Sequence, residues 1–254
     1  MMRVIKVGGR VQRDPGLAPA LARLWSAAPG SCCVVHGGGE MISTLQTQLG
    51  GAPRFVNGRR VTTSDDIEVL RMALSGVANK RLVASLGAEG IAAVGISGED
   101  GSLLIARAMH AAVLGRVGEV VQVRDAVVRT LLAAGFLPVI SPVATDDASA
   151  RGDALNVNAD DAATALAASL DVEELLLISD VRGVIIEGVV AASLSGDEAA
   201  HAIESGIAID GMATKLQAAL DALQRGVPQV RIGGVEALLD PTLGTTLLAA
   251  PQLA

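Results

Sequence analysis

Of the 20 cationic residues in this 254-residue chain only three are lysines, Lys6, Lys80 and Lys215, and the other 17 are arginines. Where any surface cation serves, the sequence uses arginine. A retained lysine therefore marks a place for a compact ammonium, although plain compositional bias gives the same skew. Lys6 stands in "VIKVGGR", an apolar run that breaks at once into Gly8 and Gly9. A buried lysine is costly unless an anion faces it. Glycines beside it expose backbone N–H groups and let a ligand approach closely. Lys215 falls early in the helical pattern "DGMATKLQAAL", where the helix dipole disfavours a cation and an anion is again called for. Lys80, inside "GVANKRL", reads as structural.

The acids and amides that could serve such lysines are concentrated in "ALNVNADDAATALAA", which carries Asn156, Asn158, Asp160 and Asp161 at the start of an apolar helix. Helix capping accounts for one or two of them. It does not account for two alternating asparagines on a strand-like stretch. An acid here could orient lysines, and an amide could hold a polar substrate. Arg59 and Arg60 follow a turn and could clamp a carboxylate through a bidentate pair. A second glycine turn, Gly37-Gly38-Gly39, follows His36 and precedes a helix whose N-terminus favours an anion. Bland alternatives stay open: a lysine reaching out from an edge strand, an ordinary exposed helix lysine, tight turns, and a solvated arginine pair. Neither glycine turn fits G-x-x-x-x-G-K-[ST] or G-x-G-x-x-G. The three histidines show no metal-ligand spacing, and no Ser/His/Asp or Cys/His arrangement stands out.

These residues lie on a regular alternation of elements. The candidate strands are "RVIKV" (3–7), "CCVVH" (32–36), "IAAVGIS" (91–97), "LPVIS" (137–141), "ELLLIS" (174–179) and "QVRIG" (229–233). Between them run helical patterns such as "LAPALARLWSA", "DDIEVLRMALSGVANKRLVASL", "AVVRTLLAAG", "ADDAATALAASL" and "GMATKLQAALDALQRG". Such alternation predicts βαβ units and a mainly parallel sheet covered on both faces, with ligands bound beyond the carboxyl ends of the strands. "RFVNGRRVTTSDD" (54–66) reads as a short hairpin turned by "NG" and followed by a helix that "TSDD" caps. The polar break around Asp171 is the best candidate boundary, dividing the chain into 1–170 and 171–254.

Composition narrows the function. The core must be built from Ala, Val, Leu and Ile, because the chain has no Tyr, one Trp and two Phe. Without aromatic stacking platforms, and with a net charge of −7, nucleic-acid binding is not expected. No apolar run reaches the roughly 18 residues of a membrane span, and the N-terminus lacks the apolar run of a signal peptide. A cytoplasmic protein is expected. Cys32 and Cys33 are adjacent, so on a strand they point to opposite faces as small buried hydrophobes.

In order along the chain stand "IKVGG", "VVHGGGE", "FVNGRRVT", "ALSGVANKRLV", "AAVGISGEDG", "LGRVGEV", "GFLPVISPVA", "LNVNADDAATALAA", "LLLISDVRGV", "GMATKLQAAL" and "GTTL". This ordered set resembles the N-acetylglutamate kinases of the amino acid kinase family. The resemblance implies an α/β fold, a three-layer αβα sandwich in two lobes. The first lobe (1–170) would hold the acid and the dimer interface, and the second (171–254) ATP. The implied reaction moves the γ-phosphoryl of MgATP to the side-chain carboxylate of N-acetylglutamate. By that pattern Lys6 and Lys215 neutralise the transferring phosphoryl, and Asp160 holds the lysines. Gly8 and Gly9 approach the phosphates. Gly38, Gly39, Arg60 and Asn156 hold the acid. Ser179, Asp180, Val181, Gly211 and Met212 surround the nucleotide, and Mg²⁺ comes with ATP on no metal site of the protein. Kinases of N-succinylglutamate or of carrier-linked acids, and a silent regulator, are the competing readings; "NVNAD" favours the acetylglutamate branch. Two features depart from the pattern: "IIEGVVAASLSG" is shorter than the family's hairpin, and Arg10 has no assigned role. Arginine-inhibited members carry an extra helix before the first strand, whereas here that strand begins by about residue 3. A homodimer built on the region of the long helix, without arginine inhibition by that route, is therefore expected.

Overall fold

The computed structural model describes residues 1–56, 58–149 and 152–249. In chain order the strands are β1 (Arg3–Val7), β2 (Cys32–His36), β3 (Phe55–Val56), β4 (Arg59–Arg60), β5 (Ala93–Ser97), β6 (Leu104–Ala108), β7 (Val117–Val123), β8 (Leu137–Ser141), β9 (Val143–Asp146), β10 (Ala154–Val157), β11 (Glu174–Ile178), β12 (Ile185–Ile186), β13 (Val189–Val190), β14 (Ser193–Leu194), β15 (Gln229–Gly233) and β16 (Thr245–Leu248). The helices are α1 (Leu17–Ala27), α2 (Gly39–Gln48), α3 (Ser64–Leu70), α4 (Asn79–Ala88), α5 (Ala111–Leu114), α6 (Ala126–Ala133), α7 (Ala159–Ser169), α8 (Gly196–Glu204) and α9 (Asp210–Gln224). All six strands read from the apolar runs are present within two residues of the expected ends.

The central sheet runs β14-β16-β15-β11-β1-β2-β8-β5, with β1 in its interior. From β15 to β5 every pairing is parallel; β16 is antiparallel to β15. Parallel strands covered on both faces must be apolar on both, and β1, β2, β8 and β11 are buried along nearly their whole length. The pleat separates two cores. Val4, Cys33, Val35, Leu175 and Leu177 pack with α7, α8 and α9. Ile5, Val7, Cys32, Val34 and Leu176 pack with α1 and α4. The adjacent cysteines thus do face opposite ways. The sheet is continuous across the expected boundary at Asp171, because β1 pairs β11 residue for residue from Arg3↔Glu174 to Val7↔Ile178.

Two features go beyond the apolar runs. Strands β6, β7, β9 and β10 close a small four-stranded barrel, of which the sequence suggests only the last strand. The expected helix over 65–86 is broken into α3, a π-helical stretch Arg71–Ala78, and α4. The capping expected from "TSDD" is made by Thr63, whose hydroxyl accepts from Asp66 N while the Asp66 carboxylate accepts from Thr63 N. The hairpin β3–β4 forms as expected; its turn includes Asn57, which lies outside the described residues.

Candidate active site

The pleat of β1 decides where Lys6 goes. Lys6 shares its face with Val4, whose neighbours lie on the α7 side. Its ammonium therefore meets the first turn of α7, where Nζ lies 2.8 Å from Asp160 Oδ1. Oδ1 has no other partner among the described residues. From α9, which packs along α7, Lys215 Nζ comes within 3.9 Å of Asp160 Oδ2. Asn158 caps α7 by accepting from Asp160 N at 2.7 Å, which fixes the backbone under that carboxylate. Thr164 donates to Ala218 O at 3.1 Å and locks α7 to α9. The three charged side chains are buried or nearly so.

The electrostatics follow from this sharing. Burial alone would raise the Asp160 carboxyl, but the two ammonium groups outweigh it and hold the carboxyl below its ordinary value. Burial, reinforced by Lys6, pulls the Lys215 ammonium below its ordinary value, against the opposing pull of Asp160 and Asp180. Two cations thus flank a single carboxylate, which leaves a local excess of positive charge in a chain of net charge −7.

The glycine turns close in beside them. Gly8 N donates to Ile178 O and Gly37 N to Val7 O, both at 2.9 Å, so each turn continues the ladder of the sheet. A Cβ on Gly9 would stand 3.1 Å from Gly38 Cα and 3.2 Å from Gly38 N. The two turns touch at that point, and only glycine lets them. At the end of β11 the buried Ser179 Oγ has no hydrogen-bond partner among the described residues, and it lies next to Gly8. An unpaired buried hydroxyl beside a glycine turn and two ammonium groups suits a phosphate oxygen.

A cavity of about 250 Å³ opens from Lys6 and Asp160 past Gly9 and Gly37–Gly39 to the hairpin, with Arg60 and Asn156 in its wall. Arg60 is engaged in a way the sequence does not suggest. Its Nη1 donates to Gln46 Oε1 at 3.0 Å, and its Nη2 to Gly39 O at 2.8 Å and Ser43 Oγ at 2.7 Å. Arg59 does not join it in a carboxylate clamp, because its guanidinium is paired with Asp161. Asn156 Nδ2 donates to Thr62 Oγ1 at 3.0 Å.

A second, more open cavity of about 830 Å³ is lined by Ser179, Asp180 and Val181 together with Arg10 and Arg13. Arg10 has its explanation there: Nη1 lies 3.2 Å from Asp180 Oδ2. Gly211 and Met212 open α9 and line neither cavity. The Gly211 carbonyl instead accepts from Lys215 Nζ at 3.4 Å. The segment "IIEGVV" forms the hairpin β12–β13, turned at Glu187 and Gly188.

Residues 1–234 match the family model described as the amino acid kinase family. The chain belongs to that family. It is 41% identical over 232 residues to an acetylglutamate kinase of Geobacillus stearothermophilus, covering 90% of this chain and 88% of the relative. Over 247 residues it is 42% identical to an acetylglutamate kinase of Roseiflexus sp. (strain RS-1), covering 96% and 92%. Among solved structures, smu.665 from Streptococcus mutans UA159 superposes with a TM-score of 0.88 at 28% identity, over 98% of this chain and 99% of that one.

Within this amino acid kinase family member, one supporting group escapes the sequence reading. His36, fully buried, donates from Nδ1 to Gly37 O at 2.9 Å and accepts at Nε2 from Asn79 Nδ2 at 3.1 Å. Asn79 also donates to Val139 O, and Gln12 donates to Gly37 O at 2.6 Å. These partners fix the neutral tautomer, and burial pushes the imidazole down to about 4. The π-helical stretch delivers Asn79 to this spot and sets Leu74 against Gly38. A signal was available: Asn79 sits in an apolar helical stripe with Leu82 and Leu86, where a buried amide needs a partner.

Proposed function

We propose that the protein transfers the γ-phosphoryl of ATP to the side-chain carboxylate of N-acetyl-L-glutamate, giving N-acetylglutamyl 5-phosphate, a step of arginine biosynthesis. The observation that carries this reading is the pair of ammonium groups on Asp160, beside the cavity that Lys6 and Asp160 line. About 40% identity to acetylglutamate kinases over most of the chain supports the choice of acid.

The chemistry fits the residues. A glutamate side chain is ionised at neutral pH, so its oxygen attacks without a general base. The new bond forms between that oxygen and the γ-phosphorus, the bond to the β-bridging oxygen breaks, and ADP leaves with the electron pair. No proton moves. What opposes the step is the meeting of two anions, so catalysis is positioning and charge stabilisation. Lys6 and Lys215 supply the charge, and Asp160 keeps them apart and aimed. Gly8 and Gly9 offer backbone N–H groups to the phosphates. Gly38, Gly39, Arg60 and Asn156 hold the acid, and Arg60 also ties β4 to α2. Ser179, Asp180 and Val181 face the nucleotide, and Gly211 and Met212 act from the start of α9. Mg²⁺, carried by the ATP phosphates, would neutralise part of their charge. In this reading 1–170 receives the acid and 171–254 the nucleotide. The working unit is a cytoplasmic homodimer that covers the exposed Met72 and Val77 of the π-helical stretch.

Hydroxylamine trapping of the acyl phosphate across N-acetylglutamate, N-succinylglutamate, N-acetylaminoadipate and free glutamate tests the reading. N-acetylglutamate should be strongly preferred, and free glutamate should be poor because its ammonium would stand unpaired where an amide belongs. ATP binding without product from any acid would sink the proposal.

A further inference from the structure

Arg10 comes directly after the Gly8-Gly9 turn and Asp180 directly after Ser179, so both stand beyond the carboxyl ends of the neighbouring parallel strands β1 and β11. Arg10 Nη1 donates to Asp180 Oδ2 at 3.2 Å, with side chains 78% and 53% exposed. An ion pair this open is screened by salt and stabilises a fold little. Among the described residues the Arg10 guanidinium has no other hydrogen bond or ion pair, so most of its N–H donors lack a protein acceptor. The pair matters for its place instead. Both residues line the 830 Å³ cavity with Ser179, whose buried hydroxyl is unpartnered beside Gly8. Asp180 is also near enough to oppose the fall of the Lys215 ammonium. Asp180 is thus shared by Arg10 and Lys215, as Asp160 is shared by Lys215 and Lys6. The other charges close by are engaged elsewhere: Arg13 is paired with Glu40 at 3.3 Å, and the Asp14 carboxylate accepts from Gly16 N.

A guanidinium grips a phosphate through two parallel charge-assisted bonds, a better bargain than one contact to a carboxylate in water. We propose that Arg10 is a third cation of this site, a nucleotide-binding residue that exchanges Asp180 for oxygens of the polyphosphate tail. In the free protein Asp180 holds the guanidinium at the rim of the cavity. When the nucleotide enters, Arg10 leaves the carboxylate and closes on the phosphates from the side of the glycine turn. Lys6 and Lys215 are buried and fixed by Asp160, whereas Arg10 is free to move. That this cavity receives the nucleotide rests on the proposed function.

The test measures Kd for ATP, ADP, AMP and adenosine by calorimetry, with Mg²⁺ and without acid, in the full chain and in Arg10→Gln, Arg10→Lys and Arg182→Gln. Arg182 is exposed on the same cavity, so its variant makes the same change of net charge. Arg10→Gln should weaken ATP and ADP by roughly tenfold, the scale of losing a hydrogen-bonded charge. Adenosine should bind as before, KM for ATP should rise with Kd, and KM for the acid should stay put. Arg10→Lys should recover part of the loss, because it keeps the charge without the paired bonds. Arg182→Gln should shift the ATP Kd by less than about twofold. The urea midpoint of Arg10→Gln should match the wild type, since the pair it breaks is open to water. Unchanged ATP affinity in Arg10→Gln, an equal loss for adenosine, or an equal loss in Arg182→Gln would overturn the proposal. A wild-type chain that binds ATP yet phosphorylates no acid would defeat the proposed function alone, because the binding data are taken without acid.

Discussion

One carboxylate serves two ammonium groups, and the distances divide its attention: Lys6 is held at 2.8 Å and Lys215 at 3.9 Å. Lys6→Ala and Lys215→Ala should each lower kcat by roughly 10²-fold, the scale of losing one preorganised charge. Lysine-to-arginine changes should fail as well, because a planar fork cannot replace a compact ammonium between these walls. Near-full activity of Lys6→Arg would refute that argument. The pull of burial and of Lys6 on Lys215 has a further expression in the pH profile. Asp160→Asn removes the charge that opposes that pull, so Lys215 should lose its proton more easily. The alkaline limb of kcat should then move to lower pH; a limb that stays put would show that Lys215 is not the titrating group. Much of this cluster was legible, because rare lysines and a crowded run of acids and amides stand out in any context. Arg60 was legible as a candidate, and it does line the cavity, but its contacts were not legible. Its acceptors Gln46 and Ser43 lie on a different element, and no spacing connects them to it.

Elements were legible where burial is complete and illegible where it is partial. The runs 3–7, 32–36, 137–141 and 174–178 are buried on both faces and read as continuous apolar stretches. Strand β7 alternates irregularly between buried and exposed residues, and β6 ends exposed, so neither apolar continuity nor a clean period of two announces the barrel. The π-helical stretch is silent for another reason: its residues form a good helical stripe, and only packing against Gly38 and His36 selects the wider winding. The joint between barrel and the β3–β4 hairpin is narrow. Gly115 has φ +69°, and a Cβ there would collide with Thr62 O, the acceptor of Arg116 N at 2.7 Å. Gly115→Ala should cost about 3 kcal/mol in a urea titration. It should also raise KM for the acid, because Thr62 is what Asn156 leans on. Wild-type stability and KM in this variant would show that the joint bears no strain.

Across the whole molecule, acid should act through two buried groups of different kinds. His36 titrates near 6.5 when unfolded and near 4 when folded, because burial disfavours its cation. The unfolded chain then binds more protons between those values, so stability is full above pH 6.5 and falls as pH drops toward 4, by about 3 kcal/mol in all. Asp160, held below the ordinary carboxylate value, extends the loss to lower pH. Urea midpoints from pH 7 to pH 4 should fall in the wild type and flatten in His36→Gln; equal slopes would show that His36 carries none of the effect. The sheet order has a last consequence, in time rather than energy. Strand β1 is made first yet lies between β2 and β11, so one of its edges waits for residues 174–178. At a synthesis rate of about 5–20 residues per second that wait is roughly ten to thirty seconds. For that interval the nascent chain exposes an apolar strand edge with Lys6 lacking the acid that will face it. Lys6 gains its partner Asp160, and β1 its second neighbour, only after about two-thirds of the chain has been read.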